Sequence, residues 1–111
     1  DEYASLVNAV TGEEHNSGTL QTLAQRTITL ERAFNVLCGI SSEHDWLPKR
    51  FYEETIRTKD GELICIREAF DKMHKEYYHS VGWDDQGTPT AQTLQQMNLM
   101  DFVPAENILQ S

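Results

Sequence analysis

Basic residues are missing from both ends of this 111-residue chain. All nine Lys and Arg fall between Arg26 and Lys75, where nine acids balance them; residues 1–25 carry four acids and residues 76–111 carry five. A net charge of −9 distributed in this way offers no basic footprint to displace counterions from a phosphate backbone, which excludes nucleic-acid binding. An acidic surface is either plainly solvated or an attractor for a basic partner. Long hydrophobic runs are lacking too: no stretch approaches the roughly 18 apolar residues of a membrane span. With 39% hydrophobic residues and a mean hydropathy of −0.55, the chain reads as one soluble domain with a modest core. Cysteine is scarce. Cys38 and Cys65 have no C-x-x-C spacing and no His at a zinc spacing, and two thiols fall short of the about four that an iron–sulfur cluster takes. The expectation for them is two buried free thiols in a reducing cytoplasm. Asp1-Glu2-Tyr3 has neither an initiator Met nor a signal-peptide core, which reads as an excised or processed boundary.

What is present is helical periodicity. Tyr3, Leu6, Val7 and Val10 recur at helical spacing, and Thr11-Gly12 supplies a stop. After polar turn material from Glu13 to Gly18, a long helix is expected from an N-cap at Thr19. Its apolar stripe is Leu20, Leu23, Leu30, Phe34 and Leu37, with Thr27 keeping the register and Gln21, Gln25, Arg26 and Glu31 on the polar side. Gly39 suits the positive φ of a helix end. Ser41 to Asp45 reads as a loop, and Pro48 suits the first turn of a short helix through Arg50, Phe51 and Tyr52. Lys59-Asp60-Gly61-Glu62 marks a turn, joining either a small hairpin (Thr55–Thr58 with Leu63–Cys65) or a plain loop.

A second long helix is expected from Arg67 to Ser80, with Ile66, Phe70, Met73, Tyr77 and Val81 facing the core. Gly82 ends it and Trp83 folds back. Asp84-Asp85-Gln86-Gly87 reads as a turn, after which Thr90 caps a short helix through Leu94 and Met97. Val103 to Ser111 is a weakly patterned tail. The fold class expected is all-α: an orthogonal helical bundle of about four to five helices with long ordered loops, spanning 1–102, with a tail at 103–111.

Chemistry-bearing constellations are thin. Asp71/His74 and Glu76/His79 have the Glu-x-x-His spacing that bundles use for di-metal sites. Both pairs share one helix and point about 140° apart at about 100° per residue, so they do not converge. His44 lies six residues beyond Cys38 across a helix end, too loose for a nucleophile–base pair. Asp84-Asp85-Gln86-Gly87 lacks the alternating oxygens and later bidentate Glu of a calcium loop. There is no G-x-G-x-x-G, Walker or nucleophile-elbow pattern. No catalytic, cofactor-binding or metal residue is assigned.

Six blocks in order resemble the C-terminal part of the tungsten-containing aldehyde:ferredoxin oxidoreductase family. They are Asn8-Ala9-Val10-Thr11-Gly12; Arg26 to Val36, ending in Glu31-Arg32-Ala33-Phe34-Asn35-Val36; Leu47-Pro48-Lys49-Arg50-Phe51 with Glu53-Glu54; Tyr77-Tyr78; Gly82-Trp83-Asp84; and Gly87 with Pro89-Thr90. The residue types themselves suit scaffold roles: Phe34 and Val36 packing the helix end, Asn35 bonding loop backbone, Arg32 pinning a carbonyl or carboxylate, and Trp83 plugging the bundle beneath Gly82. Leu37-Cys38-Gly39 departs from the Arg-Glu-Gly often found there, and Trp46 replaces a small polar residue.

The resemblance further implies a cytoplasmic enzyme that oxidises aldehydes to carboxylic acids. Electrons would pass from a tungsten (or molybdenum) bis-pterin through an iron–sulfur cluster to ferredoxin. The pterin contacts and cluster cysteines of that family lie upstream of the matched region, so none maps onto this chain. The partner implied is the rest of the parent polypeptide or a cofactor-bearing subunit, which this piece helps to close. The alternative is a free-standing acidic helical module that binds a protein partner without catalysis.

Overall fold

Asn8 sets the first corner of the structure, a computed structural model that describes residues 2–61, 63–64 and 66–103. Its carboxamide accepts the His15 N–H at 2.8 Å and donates to the His15 carbonyl at 2.9 Å, copying a backbone pair across the turn between α1 (Glu2–Thr11) and α2 (Ser17–Leu37). The α2 cap is Asn16 rather than Thr19. The Asn16 side chain accepts from Thr19 N–H while Thr19 Oγ1 accepts from Asn16 N–H, a capping box that satisfies two otherwise free donors. Ser17 and Gly18 are thereby drawn into the first turn, and Thr19 becomes its third residue. At the far end Gly39 sits at φ 89°, with Gly39 N–H on the Val36 carbonyl and Ile40 N–H on the Asn35 carbonyl, a Schellman stop.

A 3₁₀ turn (Ser42–Asp45) stands where the sequence suggested a plain loop. Then come α3 (Arg50–Glu53) and two two-residue strands, β1 (Ile56–Arg57) and β2 (Leu63–Ile64), paired antiparallel with Ile56 opposite Ile64. The hairpin alternative is therefore the one adopted. Helix α4 (Arg67–Ser80) has the bounds read from the sequence, closed by Gly82 at φ 78°. The last helix among the described residues, α5 (Ala91–Gln96), is capped by Thr90, whose hydroxyl accepts from Thr93 N–H. The architecture is all-α, with one minimal hairpin.

The core is small and lies between the C-terminal half of α2 and α5 with its following turn: Ala33, Val36, Leu94, Leu99 and Val103 are buried, with Leu30 and Met97 packed at its edge. Val103, at the head of the expected tail, is thus a core residue, and 104–111 lie outside the described residues. The inward face of α2 is the strip Thr29, Arg32, Ala33 and Val36, not the leucine stripe. Small side chains there let α5 and Leu99 approach closely, so Leu23, Phe34 and Leu37 stay open, Phe34 being 64% exposed. Phe34 does not pack the helix end as expected, although Val36 does.

Helix α4 is turned likewise. Phe70, His74 and Tyr78 line up at four-residue steps, while Met73 is 65% exposed and Tyr77 is exposed. On α1 only Ala4 is buried; Tyr3 and Val10 are 82% and 86% exposed. The result is a slab, 53 × 41 × 19 Å, with a radius of gyration of 18.1 Å. A compact chain of this length has about 13 Å.

Candidate functional site

Arg32 enters the structure from the inner face of α2 and meets two segments distant in sequence. Its Nε donates to the Gly87 carbonyl at 2.7 Å, Nη1 donates to Asp45 Oδ1 at 2.9 Å, and Nη2 stands 2.6 Å from Asp45 Oδ2. The two nitrogens straddle the carboxylate like a fork, Nη1 through a hydrogen bond and Nη2 through ion-pair contact alone, a reach that only a guanidinium supplies. Tyr78, from α4, donates its hydroxyl to Asp45 Oδ2 at 2.5 Å. The guanidinium carbon lies 5.7 Å from the Tyr78 ring centre and 5.5 Å from that of Trp83, so the charge is also held against two aromatic faces. One carboxylate thus ties α2, the 3₁₀ turn and α4 together.

The loop after α4 is shaped to receive this cluster. Trp83 and Pro89 form an isolated antiparallel bridge, and the Asp84 carboxylate accepts from Gln86 and Thr88 N–H, both at 2.9 Å. That turn presents the Gly87 carbonyl to Arg32. Gly87 has φ 73°, and a Cβ there would strike the Arg32 guanidinium and the Tyr78 ring. Behind it the Thr93 hydroxyl donates to the Gly82 carbonyl at 2.6 Å, and a Cβ on Gly82 would collide with Thr93. The two glycines are therefore required by close approach as well as by backbone conformation.

The electrostatics follow from the contacts. Burial works to raise the Asp45 pKa, but the hydrogen bonds from Arg32 and Tyr78, the Arg32 charge and His74 outweigh it and hold the carboxyl below its usual range. Burial and the donated bond to the Asp45 anion push the Tyr78 phenol well above its usual value, against the smaller pull of Arg32. A locked carboxylate and a reluctant phenol make a clamp. An acid–base pair poised near neutrality would have the opposite tuning.

From Tyr78 a row of rings continues outward: His74 at 4.3 Å, then Phe70 at 5.4 Å from His74 and Trp46 at 5.6 Å from Phe70. Tyr52 closes the row against Trp46 at 5.3 Å. Trp46, the residue that departs from the small polar type, thus serves as packing between the 3₁₀ turn, α3 and α4.

Of the residues weighed from the sequence for chemistry, only His74 reaches this cluster, through its ring against Tyr78. Asp71 pairs with Lys75 and Glu76 with Lys72 along the exposed side of α4, and His79 contacts Asp85 at 2.6 Å. The His44 ring accepts from Ser41 N–H at 3.2 Å, at the start of the 3₁₀ turn. Cys38 is exposed at the C-cap of α2, which corrects the buried thiol expected there; the Schellman turn needs its backbone, not its side chain. Cys65 lies outside the described residues. Among the described residues no three His, Cys, Asp or Glu stand close enough to hold a metal ion. None of their helices is long and apolar enough to cross a membrane.

Arg32, Gly82 and Trp83 were legible as scaffold residues, and Gly87 as part of a turn. Tyr78 stood in the Tyr77-Tyr78 block with no role assigned, and Asp45 was not singled out. The four-residue recurrence of Phe70, His74 and Tyr78 was the available signal for Tyr78, whereas Asp45, in a polar turn, gave none. Asn35, expected to bond loop backbone through its side chain, contributes its own carbonyl instead, to Cys38 and Ile40 N–H.

A family model for aldehyde ferredoxin oxidoreductase, domains 2 & 3, matches residues 1–99. No solved structure matches the chain.

Proposed function

The chain belongs to the aldehyde ferredoxin oxidoreductase family, and from that premise we propose that it is a structural helical domain of a cytoplasmic enzyme oxidising aldehydes to carboxylic acids. The enzyme would use a tungsten (or molybdenum) bis-pterin and an iron–sulfur cluster, with ferredoxin as electron acceptor. The thiols of this chain are too few for the cluster. A cluster takes about four thiolates, and the sequence has two, of which Cys38 stands at the end of α2 with no metal-binding neighbours among the described residues. In this reading the cofactors sit in the remainder of the oxidoreductase, and this domain packs against it, as cover, channel wall or subunit contact.

The observation that carries this reading is how much apolar surface the fold leaves open. Tyr3, Leu6 and Val10 on α1, Phe34 and Leu37 on α2, and Phe102 after α5 all stand in solvent. Apolar area is worth about 25 cal/mol per Å² when removed from water, and large exposed apolar patches mark interfaces. An acidic free-standing interaction module would also use such faces, but the family match over residues 1–99 favours the oxidoreductase.

The test is metal and activity analysis. The 111-residue chain, produced anaerobically with tungstate and molybdate supplied, should contain no stoichiometric tungsten, molybdenum or iron. The intact polypeptide that carries it should contain metal and reduce ferredoxin with an aldehyde. Stoichiometric metal in the chain alone would overturn the structural role, and an intact protein inert to aldehydes would overturn the assigned reaction.

A further inference from the structure

The open strip on α2 has a spacing of its own. Leu20, Leu23, Thr27, Leu30, Phe34 and Leu37 follow one another in steps of three and four, the register of a helix-pairing seam, over about 26 Å at about 1.5 Å per residue. The core uses a different strip of the same helix, Thr29, Ala33 and Val36. The seam is thus a second face, joined to the core through Leu30, which packs at its edge, and open at Leu23, Phe34 and Leu37. Along its C-terminal half it becomes a groove of about 530 Å³, walled by Leu30, Phe34 and Leu37 on one side and by Phe102 and Val103 on the other.

Charge around the groove is of one sign. Glu31 lines it and Asp101 precedes Phe102; both are exposed, and neither has an ion-pair partner among the described residues. The two cations of α2 are engaged inward, Arg26 donating to the Met97 carbonyl at 2.9 Å and Arg32 bound to Asp45. A second copy fits poorly. It brings another net −9, and in a parallel pairing Arg26 would have to leave Met97 to meet the partner's acidic flank.

We propose that this groove receives an amphipathic helix with apolar residues at the same three–four spacing and Lys or Arg on its flanks, contributed by another part of the oxidoreductase polypeptide. The inference rests on the reading of this chain as a domain of that enzyme. The apolar seam supplies the contact, in the manner of a helix lying in a groove, and the acidic rim selects the flanking charge.

Three labelled 20-residue helical peptides test it by fluorescence anisotropy against the full 111-residue chain: one with a leucine seam and Lys flanks, one with the same seam and Glu flanks, and one with Lys flanks and a scrambled seam. The Lys-flanked seam peptide should bind at least about tenfold more tightly than either other. Phe34→Asp should weaken it by about tenfold or more with the circular dichroism spectrum unchanged, and Glu31→Lys with Asp101→Lys should reverse the preference between Lys and Glu flanks.

Equal binding of the Lys and Glu peptides, insensitivity to Phe34→Asp, or a chain that sediments as a dimer through this groove would each overturn the proposal. Such a failure would leave aldehyde oxidation by the intact enzyme, and the parent reading, standing. An inert intact enzyme with peptide binding preserved would do the reverse.

Discussion

Arg32 brings a full charge into the interior of a small, strongly acidic protein, and its contacts explain why that is tolerated. It is 8% exposed, forked on Asp45, bonded to Gly87 and stacked between two rings. Removing one partner of a buried pair costs about 3–5 kcal/mol, and the partial exposure of Asp45 lowers that range. Arg32→Met should therefore lose about 2–3 kcal/mol in urea denaturation, and Arg32→Lys should recover only part because it lacks the fork. Gly87→Ala should cost about 2 kcal/mol or more, from the positive φ and the collision with Arg32 and Tyr78.

Titration of the same cluster sets a pH window. Asp45 has its folded pKa lowered, so its contribution is present above the ordinary carboxyl value of 3.8 and is lost as pH falls through the folded value. Tyr78 has its folded pKa raised above 10.0, so its contribution is full below that pH and declines as pH rises beyond it. Denaturation midpoints measured across pH should form a plateau between these limits. Asp45→Asn should flatten the acid limb and Tyr78→Phe the alkaline one; limbs unchanged in both variants would contradict the assignment. At this scale Arg32 was legible because its neighbours in sequence marked the end of a helix. Asp45 was not, because a carboxylate in a polar turn looks the same whether it is solvated or gripped.

Helix ends are decided by local chemistry, and most of them could be read directly. Gly39 and Gly82 stop α2 and α4, and Thr90 starts α5, as their residue types require. Asn16 took the cap from Thr19 because both residues suit it and the reciprocal bond settles their roles. Asn16→Ala should lower stability by about 1 kcal/mol. Helix faces are decided by what packs against them, which periodicity does not contain. Helix α2 carries two apolar strips one residue apart, and the leucine strip has the stronger pattern. The fold buries the other because Ala33 and Val36 admit Leu94 and Leu99 at close range. Chemical denaturation separates the two: Val36→Ala should cost about 1–3 kcal/mol and Phe34→Ser stay within about 0.5 kcal/mol.

As a whole the molecule is a slab whose small core is flanked by apolar faces with nothing against them among the described residues. The all-α class and the element order were legible, since each helix announces itself by period and cap. The open faces were not, because a stripe expected to be core is indistinguishable from one waiting for a neighbouring domain. The central claim is that those faces meet the rest of an aldehyde ferredoxin oxidoreductase. Hydroxyl-radical footprinting of Tyr3, Phe34 and Phe102, in the 111-residue chain and in the intact enzyme, tests it most directly. All three should oxidise readily in the isolated chain and be protected several-fold in the intact enzyme. Equal oxidation of all three in both would contradict the account.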